Sequence, residues 1–157
     1  MSFSAAWRVA HVLPGDPREF VWGPISTSGE VRALREAIEA ASRRETGARD
    51  RVALAVTLPQ DDAVIRWMLR DFKNAQINGA IGDMAPVIVA PLGSQFPEYA
   101  PQHYVGKPFA VQTAWDTDVL TDSDLMRWWL YRESDVPPSP LRTYVVWINT
   151  DQGESNP

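Results

Sequence analysis

"RVALAVTL", residues 51–58, decides the fold class. Val52, Leu54, Val56 and Leu58 alternate with Ala53, Ala55 and Thr57, so the segment is apolar on both faces nearly to its end. A strand of that kind is covered on two sides, as at the centre of a parallel sheet.

The segments on either side supply the helices. "TSGE" (27–30) reads as a capping box, with Thr27 capping the third amide and Glu30 reaching back. Val31, Leu34, Ile38 and Ala41 then recur at helical spacing among charged residues, so the sequence predicts an amphipathic helix that stops near Gly47. After Pro59, with Asp61 and Asp62 suited to a helix N-terminus, a second helix is predicted through Val64, Ile65, Trp67, Met68, Leu69 and Phe72 to "NGAIG" (78–82). "APVIVAP" (85–91) is a short buried strand. Strands alternating with helices imply right-handed crossovers and a parallel core.

Farther out, "WRVAHVL" (7–13) alternates with period two and is joined by "PGDP" to "EFVWGPI" (19–25), an N-terminal β-hairpin. Residues 92–107 have neither helical nor strand period and read as a long loop. "PFAVQTAW" (108–115) is a strand, residues 121–134 a helix, "DVPPSP" (135–140) a stiff linker and "RTYVVWIN" (142–149) an interior strand. The expected fold is therefore α/β: a mixed β-sheet with a parallel centre, an N-terminal hairpin and about three helices. It forms a single domain over residues 1–150, with a polar tail at 151–157. From residue 19 onward the order of elements, with Pro86 opening a strand, resembles thioredoxin-like folds in outline. The cysteine pair of those folds is lacking, and no function is carried over.

Composition narrows the chemistry. The chain of 157 residues has no cysteine and two histidines, which excludes a disulfide framework, a thiol nucleophile and a Cys- or His-rich zinc site. A net charge of −5 argues against a dedicated nucleic-acid binder. No secretory leader and no transmembrane run is read, so a cytoplasmic location without membrane contact is expected. Seven tryptophans point to a packed core plus a contact surface.

Four groups of residues are candidates for function. In "LMRWWLYRES" (125–134), Leu125, Met126, Trp129 and Leu130 span about 140° of a helical projection and read as the core-facing stripe. Trp128, with Tyr131, Arg127 and Arg132, falls outside it and has the composition of an interface hot spot; packing beneath 135–140 is the alternative. Phe96, Tyr99 and Tyr104 in the long loop form a second aromatic contact surface. Arg66, Arg70 and Lys73 fall at i, i+4 and i+7, a basic stripe suited to phosphate or an acidic partner, or simply a solvated helix face. In "DTDVLT" (116–121) the spaced aspartates are similar to the aspartate motif of haloacid-dehalogenase-type phosphatases, although Leu120 and Thr121 stand in the reverse order. Asp116 and Asp118 offer oxygen ligands for Mg²⁺; the alternative is that Thr121 and Asp124 form a capping box and the acids only open a helix.

No phosphate loop, G-x-S-x-G or HExxH pattern occurs. The expected function is thus a non-enzymatic interaction or assembly protein of bacterial or phage origin, without a cofactor. It binds another protein or itself through aromatic patches. The competing reading is a small Mg²⁺-dependent enzyme acting on a phosphate-containing substrate at an acidic rim.

Overall fold

Hydrogen bonding joins six strands in the order β1-β5-β6-β4-β2-β3, and the parallel pairs fall where the 51–58 segment demands them. The structure, a computed structural model, describes residues 25–59, 62–78, 85–94, 103–116, 118–131 and 133–150. In chain order these are β1 (Ile25–Thr27), α1 (Glu30–Thr46), β2 (Leu54–Val56), α2 (Ala63–Leu69), β3 (Ala75–Ile77), β4 (Val87–Pro91), β5 (Tyr104–Ala114), α3 (Asp122–Tyr131) and β6 (Ser139–Asn149). β2 runs parallel to both β3 and β4, β4 pairs antiparallel with β6, and β1 pairs antiparallel with β5. The sheet is mixed with a parallel centre, and β2 and β6 are both interior. The expected hairpin at 7–13 and 19–25 lies outside the described residues except for Ile25, which opens β1.

The chain divides into two compact units, Gly29–Val111 with Arg142–Pro157, and Met1–Ser28 with Gln112–Leu141. In the first unit, α1 and α2 cover one face of the sheet. Leu34 and Ile38 of α1 and Ile65 and Met68 of α2 pack on Leu54 and Val56, Val87 and Val89, and Tyr144 and Val146. Strand alternation sends Ala55, Ile88 and Trp147 to the opposite face, where they gather with Tyr104. At that face Gly106 has no side chain for a reason: a Cβ there would lie 2.5 Å from the Trp147 ring.

α1 ends where the sequence places its stop. Gly47 adopts φ +72° and donates its N–H to the Arg43 carbonyl at 2.9 Å, a left-handed cap that side chains resist. Its start differs from the expected capping box. Thr27 is the last residue of β1, opposite Gln112, so it is held in a ladder. Gly29 is the N-cap without a side-chain bond, and the Glu30 carboxylate instead accepts the Ala110 N–H of β5 at 2.6 Å.

The second helix is far shorter than its apolar spacing implies. It stops at Leu69, the Phe72 N–H bonds back to the Leu69 carbonyl, and the Lys73 N–H bonds to the Asp50 carbonyl. The chain then enters β3, an edge strand that the periodicity of Phe72 conceals. Two asparagines bracket it. Asn74 Nδ2 donates to the Arg51 carbonyl at 2.7 Å, and Asn78, at φ +51°, exchanges two side-chain hydrogen bonds with the Leu58 backbone. Asparagine tolerates that left-handed conformation better than most residues.

β5 begins at Tyr104 rather than near 108, which shortens the expected loop.

Candidate functional site

The helix that bears "LMRWWLYRES" belongs to the second unit, and its orientation reverses the sequence-based assignment of the two tryptophans. Thr121 and Asp124 form a capping box at its start: the Asp124 carboxylate accepts the Thr121 N–H at 3.0 Å and its hydroxyl at 2.6 Å, and the Asp124 N–H returns to Thr121 Oγ1. These bonds hold the Asp124 carboxyl below the usual aspartate pKa. Trp128 is the buried residue of α3, 7% exposed, with its ring centroid 5.7 Å from that of Trp115 at the end of β5. Trp115 is itself buried, 3% exposed. Trp128 is therefore core, not interface.

The consequence falls on the stripe read as core-facing. Trp129 is 64% exposed, Met126 61%, Leu130 54% and Leu125 38%. A helix ordinarily hides such an arc. Here it is the apolar face that meets solvent, and Tyr131 is exposed as well. Arg127 pairs with Asp135 at 2.6 Å and with Glu133 at 3.7 Å, while Arg132 lies outside the described residues.

The remaining candidates disperse. Phe96 and Tyr99 lie outside the described residues. Tyr104 does not belong to a loop platform: it is 8% exposed in β5 and its hydroxyl donates to the Ala85 carbonyl at 2.9 Å. Burial raises its pKa. The basic stripe breaks because α2 ends within it, after Arg66 and before Arg70 and Lys73. Arg70 is the C-cap and lies over the Trp67 ring at 4.1 Å, and Lys73, past the turn, sits 3.8 Å from Asp50. Asp116 accepts the Asp118 N–H at 3.0 Å in a local turn, and both are exposed. Among the described residues no three His, Cys, Asp or Glu side chains gather as they do around a metal ion.

The sequence missed a polar cluster in the first unit, beyond the carboxyl end of β2. Asp62, 1% exposed, caps α2 by accepting the Ile65 N–H at 3.1 Å on Oδ1. Its Oδ2 accepts the Tyr144 hydroxyl at 2.5 Å and lies 3.5 Å from Arg142 Nη1. Burial first, then the bond to Asp62, pushes the Tyr144 pKa well above the ordinary tyrosine value, so the phenol stays protonated as the donor. Asp62 precedes a helix in the sequence, so a cap was readable; its partner, 82 residues away, was not. Each group satisfies the others, so the cluster fastens the start of α2 to β6.

The same unit has a pocket of about 260 Å³ on the helix-covered face, beside α1. Val146 and Ile148 of β6 and Phe109 and Val105 of β5 form its apolar wall, and Arg44 and Lys107 stand at its edge.

No family model, no characterised protein and no solved structure matches the chain. No helix among the described residues is long and apolar enough to cross a membrane.

Proposed function

We propose that the protein works by protein–protein contact, and that the contact is the exposed face of α3 binding a second copy of the chain. The observation that carries this reading is the outward face of Leu125, Met126, Trp129 and Leu130. Together they offer on the order of 400 Å² of apolar surface, a patch size that commonly marks a contact. A second copy is the favoured occupant because one apolar helix face can pack on itself about a twofold axis, giving an isologous interface. Trp129 is its natural centre, since Trp dominates hot spots.

The size of the face sets the strength. Two such faces bury roughly 800 Å², below the ~1,200–2,000 Å² of stable complexes. A reversible, concentration-dependent dimer is the expected state. Sedimentation velocity over a concentration series tests it. The wild type should shift from monomer to dimer, and Trp129→Glu should remain monomeric with an unchanged circular dichroism spectrum. A wild type that stays monomeric throughout overturns the reading.

A further inference from the structure

We infer that the pocket beside α1 is a binding site for a small carboxylate with an apolar body, of the hexanoate or benzoate kind. The pocket lies at the early part of β5, where Val105 and Lys107 are exposed, whereas Phe109 and Val111 farther along are buried with α1. Val105 is 64% exposed although it projects from the same sheet face as buried Phe109. Beneath it, Phe109 and Val146 are 3% and 1% exposed and close the floor. An apolar cavity of about 150 Å³ accepts benzene, so about 260 Å³ accommodates a ring or short alkyl chain with a polar head. It is too small for a helix or a folded partner.

The charge at the mouth selects the head. Lys107 and Arg44 both line the pocket, on a chain that carries 20 acidic and 15 basic residues. Arg44 has structural work: it stands in the last turn of α1, lies 3.6 Å from Glu45 and donates to the Asn149 carbonyl at 3.5 Å. Lys107 has none of this. Its ammonium lies 5.3 Å from the Phe109 ring centroid, and among the described residues no carboxylate stands within ion-pair distance of it. A cation over an apolar floor, beside a second cation, fits an anion whose other end is greasy. Few precisely placed polar groups over an apolar wall are the usual plan of a ligand site. The pocket shares no residue with the exposed face of α3.

Methyl and amide NMR of the full chain tests the assignment with hexanoate as the probe. Saturable shifts are expected at Val105, Val146 and Ile148, with hexan-1-ol and acetate each binding about tenfold or more weakly, because each lacks one half of the recognition. Lys107→Ala, on an exposed side chain, should weaken hexanoate by roughly tenfold while leaving hexan-1-ol unchanged. Ala37→Phe, which narrows the pocket from α1, should weaken both. Absence of saturable shifts with hexanoate overturns the site. So does acetate binding as tightly as hexanoate, or Lys107→Ala binding hexanoate like the wild type.

Discussion

Alanine at Trp128 and alanine at Trp129 are adjacent changes with opposite expected outcomes. Trp128 is 7% exposed and packs 5.7 Å from Trp115, whereas Trp129 is 64% exposed. Truncating a buried tryptophan removes its transfer energy and leaves a cavity, about 3–5 kcal/mol in comparable cores. Truncating a mostly exposed one changes stability by about 0.5 kcal/mol or less. Natural domains are stable by only about 5–15 kcal/mol, so the first change takes a large share of the total. In thermal melts Trp128→Ala should lose on the order of 10 °C and Trp129→Ala almost nothing. Both are followed by far-ultraviolet circular dichroism at concentrations where the monomer prevails, since indole fluorescence is itself altered. Equal losses, or the larger loss at Trp129, would show that α3 turns its other face inward and would refute the orientation on which the interface rests.

Tyr144→Phe should destabilise the protein by about 1–3 kcal/mol in urea titrations at neutral pH, because it strips a donor from the buried Asp62 carboxylate. The raised Tyr144 pKa fixes the sign of its alkaline behaviour: its contribution is complete below the ordinary tyrosine value and is lost as pH rises through the folded one. Absorbance titration should therefore show Tyr144 and Tyr104 ionising late; a normal midpoint for both contradicts their burial. Gly106→Ala should cost about 1–3 kcal/mol by pressing on the Trp147 ring, and Trp147→Leu in the same chain should restore part of the loss in thermal melts. Thr121→Ala should lower stability by about 1 kcal/mol and return the Asp124 carboxyl toward the ordinary value in a carboxyl NMR titration. Because that pKa is lowered, the stability tied to Asp124 is present above the unfolded value and fades as pH falls through the folded one.

The parallel centre was legible because "RVALAVTL" is apolar on both faces, and a strand buried on two sides needs little else to declare itself. The Gly47 stop and the Thr121–Asp124 cap were legible for a similar reason: each is local chemistry between near neighbours. β3 was not, because its three residues continue an apolar rhythm set by Phe72, and the asparagines that bracket it act through partners 20 and 23 residues away. The orientation of α3 was lost on the same principle. The widest apolar arc of a helix is usually its buried side. Here the buried residue is Trp128, which packs on Trp115, and a helical projection contains nothing about Trp115. The Lys107 pocket was illegible too, since it joins residues of α1, β5 and β6 that lie far apart in the sequence.

The chain lacks cysteine, so a single introduced thiol reports self-contact directly. Met126→Cys places it beside Trp129 on the exposed face of α3, and Arg66→Cys places one on the exposed side of α2 as a control. Under mild oxidation at concentrations where the wild type associates, Met126→Cys should form a disulfide-linked dimer far faster than Arg66→Cys, and adding Trp129→Glu should abolish the difference. Equal, slow cross-linking at both positions would contradict a second copy docked on this face.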